Sequence, residues 1–197
     1  MCLSASVVPG EVNTTNNNKQ ADNLVTLLYN GHDIAVITVG PSKTVVGQGY
    51  SMSITAIVKD CGVFSETFNT TVFANTTAIY VLTVGLQSGT SATLSFTRNT
   101  TGVAKGNYTI SAYATPVPDE TDTGNNQLSN GSVYVGIPAD IDGDGDVDPI
   151  DLGTMGAAWD SFRGDANFNP NADINDDNNV GSLDLGIMGT HWGEILP

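Results

Sequence analysis

"SMSITAIV", residues 51–58, alternates apolar with small polar side chains over most of its length. Consecutive side chains of a β-strand point to opposite faces, so a period of two places every second residue on one side of a sheet. That side carries Met52, Ile54, Ala56 and Val58. The stretch therefore predicts a strand with one face buried in a core.

Six similar runs flank this stretch, separated by turns that contain Gly or Asn. The seven predicted strands cover about 34–39, 49–58, 66–74, 78–84, 91–98, 106–115 and 131–137. Seven short strands at this spacing favour an immunoglobulin-like β-sandwich over residues 33–137. Tyr108 lies near the start of the sixth strand, where it is either a tyrosine corner that bonds back to the backbone or an ordinary strand residue.

Charge divides the chain into two parts. The 197 residues carry a net charge of −15, with only six Lys and Arg. From Asp140 onward there are thirteen Asp and Glu and one basic residue, Arg163, which gives −12 over 58 residues. This break predicts a separate acidic module over 138–197. The acidity argues against nucleic acid as a partner, because phosphate binding needs a basic face, and no apolar run is long enough to span a membrane.

The N-terminal residues resemble a later part of the same chain. "VVPGEVNTTNN" at 7–17 is similar to "PVPDETDTGNN" at 116–126, and each copy leads into a strand-like run, "LVTLLY" at 24–29 in the first case. We interpret residues 1–32 as the tail of a preceding repeat. Since the start lacks the features of a signal peptide, we expect the chain to be a piece of a longer, exported precursor.

The cysteines, sequons and histidines bear on location and chemistry. Cys2 and Cys61 make no disulfide framework and are free, paired or joined between chains. Six Asn-x-Ser/Thr sequons predict an extracellular glycoprotein, at Asn13, Asn69, Asn75, Asn99, Asn107 and Asn130. His32 and His191, the only histidines, lie in neither Ser/His/Asp nor metal-ligand spacing, so we expect no enzymatic activity.

Three stretches of the predicted sandwich resemble a known family. They are "DIAVITVGPSKTVVGQGYSMSITAIVKDCG" at 33–62, "TVFANTTAI" at 71–79 and "GNYTISAYATPVPDETDTGNN" at 106–126. They resemble the CARDB domain, a cell-adhesion-related module of prokaryotic surface proteins. The resemblance implies a seven-stranded sandwich that acts as a spacer or adhesion unit and has no catalytic residues.

The acidic module contains a second internal repeat. Residues 140–159, "DIDGDGDVDPIDLGTMGAAW", align with 173–192, "DINDDNNVGSLDLGIMGTHW", and ten of twenty positions are identical. Each copy begins with oxygen-bearing side chains at alternate positions of a twelve-residue loop. Ca²⁺ takes six to eight oxygen ligands, and an EF-hand loop supplies them from positions 1, 3, 5, 7, 9 and 12. The repeat therefore predicts two bound Ca²⁺ ions.

The predicted ligands follow from these positions. In the first loop they are Asp140, Asp142, Asp144, Asp146 through its carbonyl, Asp148 through water, and Asp151. In the second they are Asp173, Asn175, Asp177, Asn179 through its carbonyl, and Asp184. The second loop has fewer charges, and Gly181 at position 9 offers no side chain, so we expect it to bind more weakly. Val147, at position 8, is expected to pair with the other loop.

A helix is predicted after each loop. Leu152, Met155 and Trp159 form an apolar stripe at i, i+3 and i+7, which residues 185, 188 and 192 repeat. Neither helix can bury such a stripe alone, so we expect the two to pack on each other, with their glycines permitting close approach. Folding is expected to depend on metal, because the charge is otherwise not neutralised.

The duplicated loop–helix units resemble the dockerin family over about 139–194. Both loops end in Asp, no helix enters the first loop, and "DLGTMGAAW", "DLGIMGTHW" and the linker "GDANFNPNADIN" extend the resemblance. It implies docking to a cohesin, a β-sandwich partner on a scaffold or cell surface. In dockerins, loop positions 10 and 11 contact the cohesin, which here are Pro149, Ile150, Ser182 and Leu183. The Ser-Thr pair of the best-known type is missing, which leaves the cohesin type open.

Three functions follow from these patterns. The first is a non-catalytic extracellular or cell-surface protein, in which a calcium-loaded dockerin docks to a cohesin and the CARDB sandwich is a spacer or adhesion module. The second is the C-terminal part of a secreted polysaccharide-degrading enzyme or protease. The third is a self-assembling filament subunit that donates strand 24–29 to a neighbouring sheet edge.

Overall fold

The structure of the protein is a computed structural model that describes residues 31–196. The predicted strand 24–29, the sequon at Asn13 and Cys2 lie outside the described residues. The predicted tail of a preceding repeat, residues 1–32, therefore falls almost wholly outside them.

Eight strands make up the larger part of the described chain. They are β1 Ile34–Pro41, β2 Val45–Gly47, β3 Ser51–Asp60, β4 Glu66–Ala74, β5 Thr77–Leu86, β6 Ser91–Asn99, β7 Gly106–Ala114 and β8 Gln127–Gly136. One sheet has the order β1-β3-β6 and the other β2-β8-β7-β4-β5. The inner faces of both sheets contribute to one hydrophobic cluster, so we call residues 31–136 the sandwich.

The mainly β prediction is confirmed, but the count of seven strands is wrong. The strand missed from the sequence is β2, "VVG", which pairs in parallel with β8 from Val45 opposite Tyr134 to Gly47 opposite Gly136. Three residues are too short to show a periodicity, and this strand exists only because β8 lies beside it. A partner 89 residues away along the chain leaves no local signal.

The core of the sandwich follows the alternation of β3. Met52, Ile54, Ala56 and Val58 are all buried, as the period of two predicts. They pack with residues of the opposite sheet, such as Ile110 on β7. Burial of a Val, Ile or Met side chain stabilises the fold by about 1.5–3 kcal/mol, so this cluster is the main source of stability in the sandwich.

Hydrogen bonds fix the ends of the strands. The Tyr108 hydroxyl donates to the Ala104 carbonyl at 2.7 Å, which confirms the tyrosine corner. The Glu120 carboxylate accepts from the backbone N–H of Ile34 (2.9 Å) and of Val117 (2.9 Å) and from the Asn126 side chain (3.1 Å). Glu120 lies in the repeated motif 116–126, so that motif clamps β1 to the segment before β8.

The acidic module, residues 137–196, is smaller and has its own core. It contains the helices α1 Pro149–Ala157 and α2 Ser182–His191 and a two-stranded antiparallel pair, β9 Ser161–Phe162 with β10 Asn179–Val180. The prediction of an all-α module is therefore wrong in this detail. Its cluster of buried residues contains Ile137, Ala139, Ile141, Val147, Met155, Ala158, Ala172, Ile174, Val180 and Met188. Tyr50 of the sandwich packs against both clusters.

The predicted burial of the helix stripes is wrong. Met155 and Met188 are each 1% exposed, but Leu152, Leu185, Trp159 and Trp192 are 40–49% exposed. Each short helix turns its loop-closing Asp and its Met, four residues apart, towards the small core. The helical glycines face open space, since an added Cβ at Gly153, Gly156, Gly186 or Gly189 meets nothing within 4 Å, so they do not serve helix packing.

Among the described residues, no helix combines the length and apolarity needed to cross a membrane.

Candidate metal centre

The first loop, residues 140–151, folds around two buried carboxylates. Asp140 accepts from the backbone N–H of Gly143 (2.7 Å) and of Gly145 (3.1 Å). Asp151 accepts from three amides, those of Ile141 (2.7 Å), Asp142 (3.3 Å) and Asp148 (2.9 Å). The loop backbone therefore wraps around its own position 1 and position 12 carboxylates.

The second loop, residues 173–184, repeats this network 33 residues later. Asp173 accepts from the backbone N–H of Asp177 (3.1 Å) and of Asn178 (3.0 Å). Asp184 accepts from the amides equivalent to those around Asp151, namely Ile174 (2.8 Å), Asn175 (3.2 Å) and Gly181 (2.9 Å). The two loops thus bond their closing Asp in the same way, whereas the second amide on the position 1 carboxylate comes from position 4 in the first loop and from position 5 in the second.

The carboxylates within each loop lie close enough to share a cation. In the second loop, Asp173, Asp177 and Asp184 each offer an oxygen, and these oxygens lie within 4.8 Å of one another. In the first loop the same limit holds within two groups, Asp140 with Asp142 and Asp144, and Asp146 with Asp148 and Asp151. Ca²⁺–oxygen distances are about 2.3–2.6 Å, so ligands on opposite sides of one ion lie about 5 Å apart. The acidic clusters therefore fit a divalent metal with oxygen ligands.

The remaining predicted ligands lie in the same loops. Asn175 accepts from the Asp177 backbone N–H (3.0 Å), and its side-chain amide donates to the Asp177 carboxylate (2.9 Å). Asn179 begins β10, and its side chain donates to the Ser161 carbonyl (3.2 Å). Asp146 has a buried carboxylate oxygen without a hydrogen-bond partner. Asp146 is at loop position 7, where the predicted ligand is the backbone carbonyl, so the ligand scheme assigns no role to its carboxylate.

Burial and mutual repulsion act on these carboxylates. Burial raises the pKa of Asp140 to about 6, with Asp151 and Asp144 adding to the shift and the amides of Gly143 and Gly145 opposing it. Burial also raises the pKa of Asp142, Asp146 and Asp173. The fold therefore disfavours the ionised form of these four carboxylates, and a cation beside them would favour it.

Each loop position 8 pairs with the segment that follows the opposite helix. The Val147 N–H donates to the Glu194 carbonyl (3.0 Å), and the Gly193 N–H donates to the Val147 carbonyl (2.9 Å). The equivalent bond in the other half runs from the Asp160 N–H to the Val180 carbonyl (2.9 Å). The backbone of Val147 therefore bonds to the segment after α2 and not to the second loop, while the side chains of Val147 and Val180 share one core.

A buried lysine from the sandwich contacts the second loop. Lys43 lies in the turn between β1 and β2 and is 2% exposed. Its ammonium donates to the Asp173 carbonyl and lies 3.5 Å from Asp176 Oδ1. Burial lowers the pKa of Lys43, while Asp176, Asp173 and Asp184 oppose that shift. Arg163 also approaches Asp176, at 3.7 Å.

Asn171, two residues before the second loop, joins the same turn to the first loop. Its side-chain oxygen accepts from the backbone N–H of Thr44 (3.0 Å) and of Val45 (3.2 Å). Its amide donates to the Thr44 hydroxyl (2.9 Å) and to the Ile141 carbonyl (3.2 Å). Sequence analysis missed Lys43 and Asn171 as site residues, because their partners lie far away along the chain.

The predicted partner-binding residues start the two helices. Pro149 is the first residue of α1, and Asp148 caps that helix by accepting from the Ile150 N–H at 2.6 Å. Ser182 and Leu183 begin α2. All four predicted partner-binding residues are exposed, with Ile150 at 59% and Leu183 at 66%.

The other predicted sites lie on the sandwich or at the end of α2. The five sequon asparagines in the described chain are all exposed: Asn69, Asn75, Asn99, Asn107 and Asn130. The histidines face carboxylates, His32 with Glu66 and His191 with Glu194 (3.0 Å). Cys61 is half-buried after β3.

The chain matches no protein-family model and no curated protein. Several solved structures are similar to it. One is a crystal structure of a CARDB domain of Pyrococcus furiosus with di-metal ions, which is 24% identical at a TM-score of 0.46 and covers 55% of this chain and 97% of that one. The solution structure of the same domain is 25% identical at a TM-score of 0.44, and the match covers 53% of this chain and 95% of that domain. A domain of a Methanosarcina acetivorans protein, provisionally described as a cell surface protein, is 22% identical at a TM-score of 0.43. That match covers 53% of this chain and 92% of that domain.

Proposed function

We propose that this is a non-catalytic extracellular or cell-surface protein whose acidic module binds two Ca²⁺ ions and then docks to a cohesin-like domain. In this proposal the sandwich is a CARDB-like spacer or adhesion unit. The observation that carries it is the repeated hydrogen bonding of the loop carboxylates: Asp151 and Asp184 accept from three equivalent amides each, and Asp140 and Asp173 share the amide at loop position 6. Two loops that hold the same carboxylates in the same way support two sites of one kind.

The ions would be held by the eleven predicted ligands of the two loops. Bound Ca²⁺ supplies the positive charge that the clustered carboxylates lack. Asp148 and Asp151 also start α1, since Asp148 caps the helix and Asp151 accepts from the Asp148 N–H. Metal binding is therefore expected to fix the start of each helix, and with it the surface that follows.

That surface carries unusual apolar exposure. Each repeat exposes large apolar side chains at the same three positions, Ile150, Leu152 and Trp159 in the first and Leu183, Leu185 and Trp192 in the second. Exposed large apolar side chains that recur at equivalent positions of a duplicated unit favour a protein-binding surface over chance exposure. They include Ile150 and Leu183, two of the four positions that the dockerin resemblance assigns to cohesin contact.

Calorimetric titration with Ca²⁺ tests the metal sites. We expect two ions per wild-type chain and one in each of the variants D151N and D184N. D160N is a matched control, because Asp160 is an exposed acid of the same module outside both loops and its positive φ of 57° suits Asn. A wild-type chain that binds no Ca²⁺ contradicts the proposal, as does a D160N variant that loses an ion.

Binding to a panel of cohesin domains tests docking. We expect a complex in Ca²⁺ that is lost in chelator and weakened by I150D and by L183D. T154D is the control, since Thr154 is on α1 and half-buried outside the apolar set. Retention by no cohesin at saturating Ca²⁺ contradicts this half of the proposal and leaves the metal sites intact.

Self-assembly is a second candidate, supported by one edge of the sandwich. The last strand of the five-stranded sheet is β5, and it exposes Tyr80, Val81 and Leu82. An uncharged apolar edge strand offers unpaired backbone groups to another strand. The proposed donor, residues 24–29, lies outside the described chain. Light scattering of the wild type and of a V81K variant tests this: assembly that V81K reduces supports it, and a monomer at high concentration contradicts it.

A further inference from the structure

The two acidic loops differ in the positive charge around them. The first loop holds six carboxylates, and no Lys, Arg or His of the described chain forms an ion pair with any of them. The second loop holds four, at positions 173, 176, 177 and 184, and Asp176 pairs with Lys43 and Arg163. One loop therefore has counter-charges within the described chain, and the other has none.

Lys43 reaches the second loop from the sandwich. The turn between β1 and β2 carries it, and 130 residues separate it from Asp173, whose carbonyl it contacts. A buried ammonium is costly unless an opposite charge and hydrogen-bond acceptors surround it. Asp176 supplies the opposite charge and the Asp173 carbonyl accepts a hydrogen bond. The contact therefore stabilises both the buried ammonium of Lys43 and the second loop.

The neighbouring contacts hold this lysine in register. All the polar groups of the Asn171 side chain are used, two by the amides of Thr44 and Val45 and two by the Thr44 hydroxyl and the Ile141 carbonyl. The two residues after Lys43 are thus bonded to Asn171, and Ser42 before it is bonded to Ser53 of β3. The lysine enters the second loop from a fixed turn.

We propose that the sandwich supplies a permanent counter-ion to the second loop, so that Lys43 keeps this loop folded and docked in the absence of metal. The first loop has no such counter-ion and is the one whose folding responds to metal. This goes beyond the proposed calcium binding, since the role of Lys43 needs no metal. The two halves of the acidic module would then differ in how much their folding depends on metal, although their sequences are repeats.

Hydrogen exchange of the full chain in excess chelator tests this directly. Three pairs of equivalent amides donate to ligand carboxylates in the two loops: Ile141 and Ile174, Gly145 and Asn178, Asp148 and Gly181. In the wild type we expect each second-loop amide to be at least about tenfold more protected than its first-loop equivalent. In K43M this difference should disappear.

Two controls keep the result interpretable. K105M makes the same substitution at an exposed lysine of the sandwich and should leave all six amides unchanged. The amide of Ala56, within β3, reports whether the sandwich of K43M is still folded. In the double variant K43M/D176N both members of the pair are absent, so we expect no further loss of second-loop protection beyond that of K43M.

Equal protection of the two loops in the chelated wild type would overturn the inference, and so would a K43M variant that behaves like K105M. Addition of Ca²⁺ separates this inference from the proposed function. If Ca²⁺ fails to protect the first-loop amides, the proposed calcium binding is contradicted. The role of Lys43 is then still decided by the measurement in chelator, which contains no free Ca²⁺.

Discussion

The two loops of the acidic module have the same backbone scheme and different surroundings. Asp151 and Asp184 each accept from three equivalent amides. Around the second loop, however, Lys43 and Arg163 pair with Asp176, whereas no carboxylate of the first loop forms an ion pair with a basic residue of the described chain. A duplicated sequence therefore repeats the fold of a loop, while the charge that balances the loop comes from whichever part of the protein lies next to it.

The largest expected effect is the removal of Ca²⁺ from both loops. A ligand at one hundred times its Kd stabilises the folded state by about 2.7 kcal/mol per site, so two sites give about 5 kcal/mol. Urea unfolding, followed by the fluorescence of Trp159 and Trp192, measures this gain in Ca²⁺ against chelator. The double variant D151N/D184N should show no gain. Identical unfolding midpoints in the wild type with and without Ca²⁺ contradict two calcium sites.

Substitution of the buried methionines tests which helix residues form the core of the acidic module. We expect M155A and M188A each to lower the free energy of unfolding by about 2–5 kcal/mol, because each removes a fully buried side chain. L152A and L185A, at the exposed positions beside them, should cost less than about 1 kcal/mol. Chemical denaturation at saturating Ca²⁺ compares the four variants. A larger loss for the leucines than for the methionines would mean that the helices pack as the sequence stripe suggested.

The pH dependence of the metal-free protein probes Asp140. Its folded-state pKa of about 6 lies above the usual value of 3.8, so the folded state binds more protons between these values. The free energy of unfolding should therefore fall as pH rises from about 4 to 6, by about 3 kcal/mol at most, since one pKa unit corresponds to about 1.4 kcal/mol. Denaturation of the wild type and of D140N in chelator isolates this contribution. If the two proteins show the same slope, Asp140 does not titrate in this range.

The smallest expected effect comes from making the loops more alike at position 9. G181D gives the second loop the carboxylate that Asp148 provides in the first, and Asp148 also caps its helix. The φ of −150° at Gly181 accepts any residue, although the Asn179 side chain must move to make room. We expect tighter Ca²⁺ binding at the second loop and a gain in stability below about 1 kcal/mol. G181A is the control for the added Cβ, and weaker Ca²⁺ binding by G181D than by G181A would contradict the prediction.

Much of the fold could be predicted from the sequence where the signal was local. The alternation in "SMSITAIV" predicts β3 and its buried side, and Tyr108 forms the corner that its position suggests. The three-residue β2 could not be predicted, since only β8 defines it. The stripe of Leu152, Met155 and Trp159 predicts a helix correctly but not its buried side, because the helix turns Met155 and the loop-closing Asp151 to the core.

The sequence by itself determined where the oxygen-bearing side chains of both loops lie and seven of the eight strands of the sandwich. Both follow from spacing within a few residues, namely oxygen side chains at alternate loop positions and apolar side chains with a period of two. Only the tertiary structure decided that Lys43 and Asn171 belong to the candidate metal centre. Their partners lie about 130 residues away along the chain, and no local sequence pattern records a contact over such a distance.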